Sequence, residues 1–118
     1  MGQPVTSIRP SAVFASTGDV NTPASNTNAV VTYAAVPGVG HLISGIAWSY
    51  SGGTPTGSLI ITDGGNTVFS IDIASAGAGF VTFNPSLKTT AGNAMVITLG
   101  AGGSGVTGKL SILSHWTE

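Results

Sequence analysis

The stretch GSGVTGKL (103–110) falls one residue short of the glycine-rich loop G-x-x-x-x-G-K-[ST], whose backbone amides cradle nucleotide phosphates. That chemistry needs Ser or Thr after the lysine to hold magnesium, and a helix whose N-terminus faces the anion. Leu110 stands in the hydroxyl position, and LSILSHW alternates as a strand close to the end of the chain. The segment reads as a hairpin loop. Two histidines, His41 and His115, raise the question of a metal or a general base. Each lies on a predicted strand with no carboxylate or second histidine two residues away on its face, so both read as isolated surface or rim residues. No metal and no other cofactor is expected.

Catalysis by carboxylates or a nucleophile finds no better footing. The acids are Asp19, Asp63, Asp72 and Glu118. Asp63 belongs to a turn, Asp72 to the solvent face of a strand and Asp19 to a polar stretch, which leaves no pair marked for glycoside hydrolysis. No G-x-S-x-G elbow presents a serine. The chain reads as a non-enzyme. Its aromatic residues are more informative. Trp48 and Tyr50 share a strand face, and Trp116 and Tyr33 could join them. Exposed, they would stack sugars; buried, they would fill the core of a small domain. They continue the face of Leu42 and Ile46, which favours the core.

The elements that must position these residues are short strands. From Asn28 onward, apolar-alternating runs are separated by Gly-rich turns: NAVVTYAAV (28–36), HLISGIAWSY (41–50), SLIIT (58–62), TVFSIDIA (67–74), GFVTF (79–83), AMVITL (94–99) and VTGKLSILSHW (106–116). No segment combines helical spacing with adequate length. The clearest hairpin is SLIIT-DGGN-TVFSIDI, whose turn residues tolerate positive φ. Phe69, Ile71 and Ile73 share one face, as do Met95, Ile97 and Leu99, and Leu110, Ile112 and Trp116, with Lys109, Ser111 and His115 opposite. Seven or eight strands with one apolar face each are buried most simply as two packed sheets. The expected fold is an all-β antiparallel sandwich of jelly-roll type with about eight short strands; a closed barrel is the alternative. Residues 28–118 form this domain. Residues 1–27, with three prolines and no sustained period, read as an extended N-terminal arm with a possible edge strand at 11–15.

Composition narrows the partners. There are three basic and four acidic residues in 118, or 6% charged, against about 25% in an ordinary domain. Gly, Ser, Thr, Ala and Asn stand where Lys and Glu would normally keep a monomer soluble, so the chain is expected to associate with copies of itself or with a dense assembly. Arg9, Lys88 and Lys109 are scattered, so no nucleic acid partner is expected. No apolar run approaches the roughly 20 residues of a membrane span, and MGQPVTSIRPS lacks the apolar core of a signal peptide. Without cysteine there is no disulfide framework. Val68, Val81 and Phe83 fall out of phase with the faces of their strands and are expected as exposed contact residues.

The stretch AWSYSGGTPTGSLIITDGGNTVFSIDIASAGAGFVTF, followed by TTAGNAMVITLGAGGSGVTGKLSI, resembles small β-sandwich head decoration, or cement, proteins of tailed bacteriophages. The resemblance covers roughly residues 28–116. It rests on strand order, a DGG-type hairpin, an AGNA turn and a Gly-rich loop before the last strand. It implies a structural virion protein on the outer surface of the phage capsid, a homotrimer that clamps neighbouring copies of the major capsid protein. It also implies an arm that reaches a neighbour through Ile8, Val13 and Phe14. The alternative is a carbohydrate- or receptor-binding module of a tail or fibre, with Trp48, Tyr50 and Trp116 as a glycan platform.

Overall fold

The computed structural model describes residues 19–118, and they fold as two packed antiparallel sheets. The strands are β1 (Val20–Asn21), β2 (Ala29–Tyr33), β3 (His41–Ser51), β4 (Gly57–Asp63), β5 (Asn66–Ile73), β6 (Gly77–Lys88), β7 (Met95–Leu99) and β8 (Thr107–Thr117). Sheet A runs β1-β8-β3-β6 and sheet B runs β2-β7-β4-β5. Consecutive strands thus alternate between sheets except where β4 and β5 form a hairpin, which is the jelly-roll connectivity. There is no helix among the described residues, so the lysine of 103–110 opens strand β8 and no phosphate loop exists. Ile8, Val13 and Phe14 lie outside the described residues. Within the segment expected as arm, Val20 and Asn21 pair with Ser111 and Leu110 as the edge strand of sheet A.

The strand faces follow from alternation. Leu59 and Ile61 of β4, Met95, Ile97 and Leu99 of β7, and Ile46, Tyr50, Leu110 and Ile112 of sheet A all point between the sheets and are buried. Their burial at roughly 25 cal/mol per Å² supplies the main drive for a domain of this size. In the hairpin, Gly64 (φ 59°) and Gly65 (φ 95°) take the left-handed conformations that the DGGN sequence anticipates. Asp63 does more than begin this turn. One carboxylate oxygen accepts the backbone N–H and the hydroxyl of Thr90, both at 3.0 Å, and the other accepts Nδ2 of Asn93 at 2.9 Å. It therefore ties the β4–β5 hairpin to the β6–β7 connection. Partial burial pulls its pKa up, but the bonds from Asn93 and Thr90 outweigh this and hold it below the ordinary carboxylate value. A folded-state pKa lowered in this way stabilises above the unfolded value and is lost as pH falls through the folded one. Asp63→Ala should cost about 1 kcal/mol at pH 7, read from urea midpoints, and the gap to the parent should close below pH 3.

Alternation breaks once, at the same level of three strands. Ser114 has φ 56°, and opposite it the partner of β3 on β6 jumps from Leu87 at Ile43 to Thr82 at Gly45. Gly45 is required here, because a Cβ would lie 2.7 Å from the Val81 carbonyl. Past this row the faces exchange. Ile43, His41 and His115 point inward, while Leu42 and Trp116, which are register partners, lie on the outside of sheet A and are buried there beside Pro85 and Lys88. Two expectations are corrected as a result. Leu42 does not share a face with Ile46, and Trp116 does not share one with Leu110 and Ile112.

The exposed apolar residues are corrected too. Val81 and Phe83 are half-buried and pack against the core, with Phe83 edge-on to Phe69 at 5.2 Å between ring centroids. The residue turned outward on β6 is Phe80, 71% exposed, whereas Val68 is exposed as expected. The alternation on β6 was placed one residue out of phase, since GFVTF is symmetric enough to bury either its odd or its even positions.

Candidate functional site

Three places in the fold collect side chains able to bind or to titrate. The first is a cleft at the open edge of the sandwich, where β5 and β6 end their sheets on the same side. Trp48 reaches it because β3 alternates inward from Ile46, and Trp48 is the inward residue nearest that edge. Its register partner on β6 is Gly79. A Cβ on Gly79 would lie 2.6 Å from Cζ2 and 3.1 Å from Nε1 of Trp48, so the indole lies across bare backbone. The cleft holds about 330 Å³ and is lined by Trp48, Ile71, Asp72, Ile73 and the 74–79 backbone. An aromatic ring, a carboxylate and a row of peptide groups therefore share one opening.

The second is the outer face of sheet A. Register places Val20, Ser111, Ala47 and Phe80 in one row across its four strands. Val20 (57% exposed) and Phe80 stand at the two ends with small residues between them. A shallow depression beside this row is lined by Ala47, Ser49, Ala78, Lys109 and Ser111.

The third lies between the sheets at the end where the faces exchange, and it is polar. Nε2 of His41 is 2.7 Å from the Ala34 carbonyl, and its Nδ1 is 2.9 Å from Nε2 of His115. Tyr33 stacks flat on His115 at 3.6 Å and 2°. The buried carboxyl of Asp19 faces the Tyr33 hydroxyl; the two interact electrostatically without closing a well-formed hydrogen bond. Burial, and secondarily the charge of Asp19, raises the Tyr33 pKa well above that of a free phenol. Burial raises Asp19 as well, with Tyr33 acting against it. Burial lowers His115 to about 4, and the charge of His41 adds to that. The histidines are thus not isolated rim residues. His41 is 3% exposed, and the two rings meet although 74 residues separate them. No period in the sequence announces this, because the phase change at Ser114 is what turns His115 inward. Among the described residues no group of three or more acids and histidines is placed to hold a metal ion.

The expected aromatic platform is divided. Tyr50 is buried, and its hydroxyl donates to the Gly100 carbonyl at 2.5 Å. Trp116 is buried on the opposite side of sheet A, and Tyr33 belongs to the polar cluster. Trp48 alone of these rings reaches a cleft that opens to solvent. Phe80, the most exposed ring, was not picked out from the sequence; its solvent face follows from its register with Ala47.

No family model matches the chain, and no curated protein matches it. Several solved structures share its sandwich. A CBM4 structure is 15% identical and aligns over 87% of this chain and 86% of that one, with a TM-score of 0.45. TmCBM61 in complex with β-1,4-galactotriose is 15% identical over 80% of this chain and 67% of that one, with a TM-score of 0.40. The carbohydrate-binding module CBM36 in complex with calcium and xylotriose is 17% identical over 80% and 76%, with a TM-score of 0.35. At such scores and identities no ligand and no site carries over from them.

Proposed function

We propose that this chain is a non-catalytic binding module that takes a carbohydrate segment in the cleft beside Trp48. The observation that carries this reading is the indole laid across Gly79 in the opening that Asp72 also lines. A sugar ring has an apolar C–H face and an equatorial belt of hydroxyls. The first suits an aromatic surface, and the second suits a carboxylate and exposed peptide groups. The cleft offers both on rigid strands. The test is a glycan array followed by calorimetry on any hit, using the parent, Trp48→Ala and Asp72→Asn. Each variant should lose at least about tenfold in affinity, or about 1.4 kcal/mol, with its near-ultraviolet dichroism retained. A broad panel without a hit, or a folded Trp48→Ala that binds as the parent does, would sink the proposal.

A second reading is favoured by a different observation, the scarcity of charge together with the exposed apolar row of sheet A. Here the chain decorates the outside of a phage head. The Val20–Phe80 row packs on the major capsid protein or on sister copies, and residues 1–18 act as a tether. Contacts made of apolar area and backbone hydrogen bonds weaken little with salt, unlike exposed ion pairs. Phe80→Asp and deletion of 1–18 should each reduce co-sedimentation with expanded heads and leave the sandwich folded. Attachment undiminished by both changes would exclude this reading.

A further inference from the structure

Neither reading uses the polar cluster between the sheets, and its hydrogen bonding admits a proton count. The Ala34 carbonyl only accepts, so Nε2 of His41 carries a hydrogen. One hydrogen then lies between Nδ1 of His41 and Nε2 of His115. With both rings neutral it belongs to His115, whose Nδ1 is bare. One added proton places an imidazolium in a buried site. A second would set two N–H groups nose to nose, and the bond between the rings could not survive.

We propose that Asp19, Tyr33, His41 and His115 form a proton-operated latch that seats strand β1 near neutral pH and releases it in mild acid.

Strand β1 is the part able to move. It has two residues at the edge of sheet A, whereas β3 and β8 have eleven each. Its backbone joins the sheet through the pairs to Leu110 and Ser111 and through Asp19, whose carbonyl accepts Ile112 N–H at 2.9 Å. Beyond it, Asn26 N–H donates to the Val106 carbonyl and anchors the following turn at 2.7 Å. The opening therefore spans 19–25. The titratable groups facing the histidine pair are Asp19 before β1 and Tyr33 on β2. Lys88 and Glu118 flank it at Gly40: the Lys88 stem lies by the Gly40 Cα, and the Glu118 backbone pairs with Gly40.

The sign follows from linkage. Closed, the cluster resists protonation of His115 down to about pH 4. Open, the ring meets water and titrates near its ordinary value of about 6.5. A state that binds more protons gains as pH falls, so opening is favoured progressively below pH 6.5 and levels off near 4. Full access to water would raise the opening constant about twentyfold between pH 7 and pH 5. Release would also bare the β8 edge at Leu110–Ile112, a row of backbone groups ready for another strand.

Amide hydrogen exchange by NMR tests this, with Ile112 as reporter because its N–H donates to Asp19. After correction for the intrinsic rate, its protection should fall about twentyfold from pH 7 to pH 5 while that of Ile97 stays constant. His115→Phe keeps a ring on Tyr33 but cannot titrate, so its Ile112 protection should not vary with pH. Constant protection in the parent, or the same fall in His115→Phe, would overturn the proposal. Should that variant fail to fold, imidazole nitrogen shifts of the parent decide: His115 titrating near 4 supports the latch, and near 6.5 overturns it.

Discussion

Alanine at Gly57 should destabilise the protein by about 3 kcal/mol and lower its melting temperature by about 12 °C. The reason is the setting of Tyr50. Its ring is buried and walled by glycine: a Cβ on Gly102 or Gly108 would lie 3.1 Å from the ring, and one on Gly57 would overlap the hydroxyl itself and sit 2.8 Å from the Gly100 carbonyl. The hydroxyl cannot swing away, because it donates to that same carbonyl, and leaving it buried without the bond costs about 1–3 kcal/mol. Burial also raises the Tyr50 pKa, so the group stays a neutral donor. Removing the oxygen should relieve part of the collision. Tyr50→Phe alone is expected to cost about 1 kcal/mol, and the double variant to be more stable than the sum of the two single changes. Thermal melts of the three variants check this. Gly57→Ala melting within two degrees of the parent would mean that Tyr50 is packed differently.

The second large effect contrasts two aromatic residues on the same side of sheet A. Trp116→Ala should cost about 3 kcal/mol, in the range for truncating a buried tryptophan. Phe80→Ala should change stability by no more than about 0.5 kcal/mol, as befits a ring standing in water. Burial decides the difference. Trp116 lies against Leu42 beneath the Asn84–Ser86 segment of β6, while Phe80 has nothing above it. Equilibrium urea unfolding of both variants reads the two values. Equal costs would show that the outer face of sheet A is uniformly covered or uniformly bare.

Much of the architecture was legible in the residues. The turn at 63–66, the inward sets of β4, β5 and β7, and two sheets packed as a jelly roll all follow from period-two alternation between glycine-rich turns. The site was less legible, for identifiable physical reasons. GFVTF carries apolar residues at both parities, so its pattern could not say whether Phe80 or Phe83 faces water. Trp48 and Tyr50 read alike on one strand, and only the tertiary neighbours separate them: Gly79 leaves the indole at an opening, whereas the 100–108 loops close over the phenol. The histidine cluster was hidden most deeply. It depends on Ser114 adopting φ 56°, a conformation uncommon for serine that no local motif signals.

That change of phase has a consequence for how the chain tolerates length variation. Gly45 and Leu113 are partners at the crossing, and the hydroxyl of Ser44 closes it by donating to the Leu113 carbonyl at 3.0 Å. Beyond it, each strand carries an interior set and an exterior set interleaved residue by residue. Losing one residue from β8 alone would transpose the two, sending an indole into the space shaped for an imidazole and an imidazole out beneath Pro85. Viable insertions or deletions at this seam must therefore be made on both strands together, like teeth removed from two meshing gears.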